Sequence, residues 1–510
     1  MGDHSMASTP QESYEALIAR VQEVATLQSC AGVLHWDRET YMPPRGAAHR
    51  AGQLAALAGL AHEKFTDPRL GELLAAVEGT DVVAEPESDA AVNARELRRA
   101  YDRATKLPRE LVEEIARVTS LAHGEWVDAR RRADFRIFRP WLEKIVALKQ
   151  QEADCYGHEG SRYDALLEDY EPGATTAWLE GVFGPLRDAL VPLLEAIKGA
   201  PAEPDVSILA RSYPVDRQEL LGRVAAAAFG FDFQAGRLDT VAHPFCSGIG
   251  PGDTRLTTRY NERDFGDAFF SIVHECGHGL YDQGLPADHW GTPRGQAISL
   301  GIHESQSRLW ENLVGRSLPF WRYFFPIACH VFPEALGDVS LGTFYFSIND
   351  VRPSFIRVDA DEVTYNLHII LRFELEQALL SGELAAADVP GAWNERFTAM
   401  FGITPANDAE GCLQDVHWSG GGIAYFPTYA LGNLNAAQLF AAAREAIPDL
   451  DEQFARGTFG DLLAWLRENI HSQGMVHRPP QLIQIVTGKP LSHEPLMAHL
   501  RAKFKPLYGL

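Results

Sequence analysis

The 510-residue chain is poor in the features that mark secreted, membrane-spanning or nucleic-acid-binding proteins. Cysteine is scarce: six residues, at 30, 155, 246, 276, 329 and 412, form no CxxC pair and no spacing that suggests a disulfide framework. Scattered thiols of this kind fit a reducing cytosol, where cysteine is usually a small buried hydrophobe. No apolar run reaches the ~18 residues that a membrane-crossing helix needs. The opening MGDHSMASTP lacks both the basic and the apolar stretch of a secretory signal. Residues 1–9 are therefore expected to be a disordered or tag-like N-terminus. Basic residues are outnumbered, 46 Lys plus Arg against 69 Asp plus Glu, for a formal net charge of -23. That balance repels phosphate backbones and argues against a nucleic-acid partner. The expectation is a cytoplasmic protein with no membrane attachment.

What is present reads as helix. Thr9, Pro10 and Glu12 give a capping residue, a proline at the first helical position and an acid three residues after the cap. Tyr14, Leu17, Ile18, Val21 and Val24 then recur at helical spacing. Further helices are predicted from Pro108, with Leu111, Val112, Ile115 and Val118 on one face, and from near Pro140, with Leu142, Ile145, Val146 and Leu148. Residues 75–91 read as a polar loop and residues 196–206 as a hinge. Strand signals are few: Arg255 to Tyr260, and Phe355 to Val358. With no internal repeat and no sharp shift in composition, residues 10–510 are predicted to form one large, mainly α domain, with two lobes around a groove as a variant of that plan.

The chemistry lies in His274-Glu275-Cys276-Gly277-His278, an H-E-x-x-H pattern. Residues four apart on a helix share a face, so both imidazoles can reach one ion. Glu275 is offset by about 100° and can reach a water on that ion. Zinc lowers the pKa of such a water to about 7, and a neighbouring carboxylate can take its proton. A surface helix with two solvated histidines is the alternative. Phe269, Phe270, Ile272, Val273 and Leu280 argue against it, because a buried helix carrying two His and a Glu needs partners for them. Cys276 is about 200° round from His274 and should pack in the core, away from the ion.

A catalytic zinc site needs a third protein ligand and an open position. No HExxHxxGxxH extension exists, since Gly284 and His289 fall at the wrong offsets. Glu304, 26 residues beyond His278 on a second apolar-patterned helix, gives the His-His-Glu arrangement of gluzincins. His303 is a rival that points about 100° away from it, and a satisfied polar residue with no ligand role is the alternative for either.

These residues and five ordered motifs resemble the carboxypeptidase Taq family of zinc metallocarboxypeptidases. The motifs are Asp253-Thr254-Arg255-Leu256-Thr257, the HECGH core, His303-Glu304-Ser305-Gln306, Ile356-Arg357-Val358-Asp359-Ala360-Asp361, and Gly411-Cys412-Leu413-Gln414-Asp415-Val416-His417-Trp418. The stretch LHWDRETYMPPRGAAHRAGQLAALAGLAHE is similar to the family's N-terminal helices, and the likeness runs from about residue 12 to the C-terminus. Cys276 stands where such sequences often have alanine, and HPFC replaces a more usual HPFA or HPFS.

The resemblance implies a mostly helical, boat-shaped domain with a long central groove and a small β element near the active site, similar in plan to neurolysin and angiotensin-converting enzyme. It implies a homodimer, peptide substrates with a free C-terminus, and release of single C-terminal amino acids. By motif match Glu304 becomes the third zinc ligand with His274 and His278; cobalt and manganese also suit such a site.

A free terminal carboxylate is best recognised by the planar fork of arginine. Arg357 and Arg255 are the candidates, against an interior ion pair with Asp359 or Asp361. Oxyanion donors besides zinc are needed, and His417 and Tyr429 are similar in placement to the donors of related helical gluzincins, with Tyr425 as the near rival. Gln414 and Asp415 are expected to shape the groove end or to support a ligand histidine. The glycines at 420–422 suggest a turn that could move with substrate. Two other readings stay open: an oligoendopeptidase on the same zinc site, and a non-catalytic metal- or peptide-binding protein.

Overall fold

Thr9 caps the first helix as its sequence predicts: its hydroxyl accepts from the Glu12 backbone N–H at 3.2 Å, and Glu12 Oε2 accepts from the Thr9 N–H at 2.8 Å. The computed structural model describes residues 9–510, so the expectation for the segment before Thr9 lies outside the described residues. Helices dominate, and the sheet contains three short strands. No helix among the described residues is long and apolar enough to cross a membrane. The chain divides into two compact units.

Among the described residues, the first unit comprises the chain up to Lys106, Tyr213–Ile298 and Gly457–Arg478. Its N-terminal helix, Pro10–Thr40, buries Leu17 and Val21 against Leu70, Leu73, Leu74 and Leu97. Strands β1 (Gly236–Thr240), β2 (Cys246–Gly250) and β3 (Asp253–Thr258) form a sheet in the order β1-β3-β2. The central strand runs parallel to β1 and antiparallel to β2, with an irregularity between Gly248 and Gly250. The predicted strand at Arg255 is thus present, starting two residues earlier.

The HExxH segment lies on helix Phe265–Asp282, capped by Asp264, whose carboxylate accepts from the N–H groups of Gly266 and Asp267. Two glycines set how closely this helix packs. A side chain at Gly279 would meet Leu256 of β3 and Phe231 at 2.8 Å. A side chain at Gly222, on helix Val215–Phe229, would run into Ile272. The motif helix is therefore seated firmly between the sheet and its neighbouring helix.

The second unit comprises Leu107–Ser212, Ser299–Arg456 and Pro479–Leu510. Helices Arg109–Arg132 and Phe135–Tyr156 form a hairpin turned by Ala133, whose φ of 50° is left-handed, and by Asp134, which caps the second helix through the Arg136 N–H. That helix begins before the predicted Pro140 start, because the capping aspartate, not the proline, marks its first turn. Helix Pro427–Ala446 is buried nearly all round, as expected of a helix in the middle of a unit. It packs against helices Leu300–Arg308, Tyr365–Ser381, Pro479–Thr487 and Glu494–Tyr508.

The second predicted strand, Phe355 to Val358, is not one: Arg357–Asp359 is a 3₁₀ turn. The physical reason is Gln414. Its amide accepts from the Arg357 N–H at 2.8 Å and donates to the Phe355 carbonyl at 2.8 Å, taking the backbone groups that a neighbouring strand would use. The loop predicted at 75–91 is shorter than expected: its two ends belong to the helices ending at Val77 and starting at Asp89, and a short 3₁₀ turn lies between them. The predicted hinge begins in the last turn of helix Thr176–Lys198 and lies wholly within the second unit.

Candidate metal centre and active site

On helix Phe265–Asp282 the rings of His274 and His278 lie one turn apart, centroids 5.0 Å apart and nearly perpendicular. Glu275 is buried beside them and Cys276 is fully buried; burial pushes the Cys276 thiol up, which suits core packing. One ring nitrogen from each histidine and one carboxylate oxygen of Glu304 lie within 4.8 Å of one another. Donor atoms grouped in this way could hold one ion. Two imidazoles and a carboxylate are also a donor set that suits zinc. The residues fit a metal, and His303 is not in the group.

Glu304 is held from several directions. It sits on helix Leu300–Arg308, whose N-terminus is fixed twice: Ser299 Oγ accepts from the Ile302 N–H at 3.1 Å, and the buried Glu171 carboxylate accepts from the Gly301 N–H. Burial raises the Glu171 pKa to about 8, against the hydrogen bonds from Ser299 and Gly301. Arg308, four residues on, donates from Nε to Glu304 Oε1 at 2.7 Å, and Ser307 Oγ lies 3.2 Å from Oε2. From the adjoining helix Gly432 presses its bare Cα against the same side chain; a Cβ there would lie 2.7 Å from Glu304 Cβ. After Arg308 the helix widens into a π-helical turn, Leu309–Gly315, where Glu311 pairs with Arg308 at 3.3 Å.

A second cluster, all within the second unit, surrounds Asp415. Arg357 donates to Asp415 Oδ1 from Nε at 3.0 Å and from Nη2 at 2.8 Å, while Arg372 donates to Oδ2 from Nε at 2.7 Å. Burial pushes the Asp415 pKa up, but Arg372 and Arg357 outweigh it and hold the group well below the usual carboxylate range. The interior ion pair of Arg357 is therefore real, with Asp415 as its partner instead of Asp359 or Asp361. Asp361 instead accepts from the N–H groups of Val363 and Thr364, in the turn that leads into the next helix. Arg357 Nη1 also donates to the Tyr365 hydroxyl at 2.9 Å. Three of its five N–H groups are thus used, leaving two to donate elsewhere.

His417 adjoins this cluster. Its Nε2 is 3.2 Å from the Tyr429 hydroxyl, and its buried Nδ1 is 3.9 Å from Asp415 Oδ1 without a hydrogen bond. Burial lowers the His417 pKa to about 4; Asp415 opposes the shift, and Arg357 and Arg372 add to it. Tyr425 also lies near His417, the rings tilted with centroids 5.3 Å apart, but Tyr429 is the one in hydrogen-bond reach of Nε2. Gly421 takes a φ of 77° to close the short turn His417–Gly420. Glu376 fastens that turn: it accepts from Trp418 Nε1 at 2.8 Å and from the N–H of Ala424, itself at a left-handed φ of 67°, at 3.0 Å.

Arg255 lies on β3 in the first unit, bidentate to Asp253 at 2.7 Å and stacked 4.3 Å over the ring of Trp36. Gln414 is occupied by backbone groups and holds the Phe355–Arg357 turn. Four contributors escaped the sequence reading: Arg308, Tyr365, Arg372 and Glu376. Arg308 was signalled by its i,i+4 spacing from Glu304. Arg372 and Glu376 were signalled as charges inside the leucine- and isoleucine-rich run NLHIILRFELEQALL, where a buried charge demands a partner.

Residues 16–504 match the model of the family described as carboxypeptidase Taq (M32) metallopeptidase. Thermostable carboxypeptidase 1 of Thermus thermophilus is 49% identical, over 98% of this chain and 100% of its own. Carboxypeptidase 1 of Bacillus subtilis is 37% identical, over 96% of this chain and 97% of its own. The crystal structure of the M32 carboxypeptidase from Deinococcus radiodurans R1 superposes with a TM-score of 0.94 at 40% identity, covering 98% of this chain and 100% of that one.

Proposed function

The chain belongs to the carboxypeptidase Taq (M32) family of metallopeptidases, and from that premise we propose that it cleaves the last peptide bond of peptides with a free C-terminus and releases single amino acids. The observation that carries this reading is the His274, His278 and Glu304 group, with Glu275 buried on the helix that bears both histidines. His274, His278 and Glu304 would hold a zinc ion, with cobalt or manganese as substitutes. When bound, the ion supplies Lewis acidity, lowering the pKa of a water to about 7 and polarising the scissile carbonyl.

The chain's own residues do the rest. Glu275 takes the proton of the attacking water and passes it to the departing amine. His417 and Tyr429 donate hydrogen bonds to the developing oxyanion; a pKa near 4 keeps His417 neutral at working pH. Arg357 receives the terminal carboxylate through its two remaining N–H groups, with Arg255 as a second cationic group for the peptide. Asp415 and Gln414 act as positioning residues: Asp415 fixes the guanidinium of Arg357 and Gln414 its backbone. We further infer peptide substrates in a cytoplasmic setting, consistent with six unpaired cysteines, and a homodimer, consistent with the family resemblance.

The test compares one peptide as the free acid and as the C-terminal amide. A carboxypeptidase trims the acid stepwise and leaves the amide intact. Internal cleavage of both at similar rates would replace this reading with an oligoendopeptidase. No cleavage of either by fully metallated protein would leave a binding protein.

A further inference from the structure

Tyr365 touches both halves of the second unit's chemistry. It is the first residue of helix Tyr365–Ser381 and is only 5% exposed. The guanidinium of Arg308 lies 4.3 Å from its ring centroid. The same Arg308 holds Glu304 Oε1 at 2.7 Å. At the far end of the ring, the hydroxyl accepts from Arg357 Nη1 at 2.9 Å. One side chain therefore stands between two guanidiniums, Arg357 buried and Arg308 half-buried, each of which has its own carboxylate: Glu304 for Arg308, Asp415 for Arg357.

Two largely desolvated cations with a shared neighbour need a group that is attractive to both. A tyrosine offers this in two places, since the ring face carries the negative lobe of its quadrupole and the hydroxyl oxygen carries lone pairs. Phenylalanine keeps the first and lacks the second. Leucine lacks both. The two contributions are thus separable by substitution.

Resting on the reading of Glu304 as a metal ligand and Arg357 as the carboxylate receptor, we propose that Tyr365 is a positioning residue for both: its ring fixes Arg308 and through it the ligand carboxylate, and its hydroxyl fixes the fork of Arg357. The ring contact governs metal affinity, and the hydroxyl contact governs recognition of the substrate terminus.

The experiment measures the zinc Kd of apo protein by chelator competition, and KM and kcat on a free-acid peptide, for Tyr365→Phe, Tyr365→Leu and Arg308→Lys. Tyr365→Phe is expected to keep zinc Kd within about twofold of wild type and to raise KM by about tenfold with little change in kcat, the loss of one charge-assisted hydrogen bond. Tyr365→Leu is expected to weaken zinc by a further ~10-fold or more, the usual consequence of freeing a group that supports a ligand. Arg308→Lys keeps the charge without the planar stack and should weaken zinc as well, which provides the test if the leucine variant does not fold. Wild-type zinc affinity in both Tyr365→Leu and Arg308→Lys would overturn the ring half, and an unchanged KM in Tyr365→Phe the hydroxyl half. Two controls separate failure of the proposal from failure of the reading beneath it. Glu304→Gln retaining tight zinc would remove the ligand assignment, and Arg357→Gln with wild-type KM would remove the receptor assignment.

Discussion

Replacing Gly432 by alanine perturbs Glu304 without touching any polar group. In an isolated helix the change would be favourable, by about 1 kcal/mol, because alanine loses less backbone entropy than glycine. Here the new methyl would lie 2.7 Å from Glu304 Cβ, closer still to Cγ, and 3.2 Å from the Glu304 carbonyl carbon. Carbon atoms rest at about 3.5–4.0 Å, so the glutamate or its helix must retreat by about 1 Å. Ligand distances tolerate only about 0.2 Å, so the displaced carboxylate no longer closes the triad. Zinc affinity should fall by about 10–100-fold, equivalent to roughly 1.4–2.7 kcal/mol. Overpacking should also lower stability by about 1–3 kcal/mol. Chelator competition reads the first effect and chemical denaturation of the apo protein the second. Gly391→Ala is the control, since a Cβ there meets nothing within 4 Å; it should leave zinc binding unchanged. Wild-type zinc affinity in Gly432→Ala would refute the claim that this close approach sets the position of Glu304.

Two further predictions concern the Asp415 cluster. Asp415→Asn leaves Arg372, which is fully buried, and Arg357 without their shared anion. Stability should drop by about 3–5 kcal/mol, and KM for free-acid peptides should rise as Arg357 loses its anchor; denaturation curves and steady-state kinetics check the two separately. For His417 the folded pKa is about 4 against an ordinary 6.5. Between those values the unfolded chain holds a proton that the folded chain lacks, so this histidine makes stability rise with pH from about 4 to 6.5 and adds nothing further above that. His417→Gln should flatten the stability–pH curve across that window by up to about 3 kcal/mol, measured by denaturation at pH 4.5 and 7.

The parts of this molecule that were legible in its sequence are those decided locally. Thr9 and Glu12 form their capping box within three residues. His274 and His278 share a helical face by spacing alone. Phe355 to Val358 was misread because β-branched and aromatic residues favour a strand only where a neighbouring strand supplies hydrogen bonds, and here Gln414, more than fifty residues away, supplies them instead. Pro140 was misread because proline is a strong start signal, whereas Asp134 had already capped the helix. The Arg357–Asp415–Arg372 arrangement was out of reach for the same reason as Gln414: its members meet only after the second unit has folded. Arg308 was within reach, since a basic residue four positions after a ligand glutamate is a local pattern.

The most direct test of the central claim is the metal content of purified wild type, His274→Ala, His278→Ala, Glu304→Ala and Glu275→Gln, each assayed on a free-acid peptide. Wild type and Glu275→Gln should each carry about one divalent ion per chain, the first active and the second nearly inert, while the three ligand variants should carry none and be inactive. A Glu304→Ala protein that kept a stoichiometric ion and wild-type turnover, or a Glu275→Gln protein that hydrolysed peptide at the wild-type rate, would contradict the account.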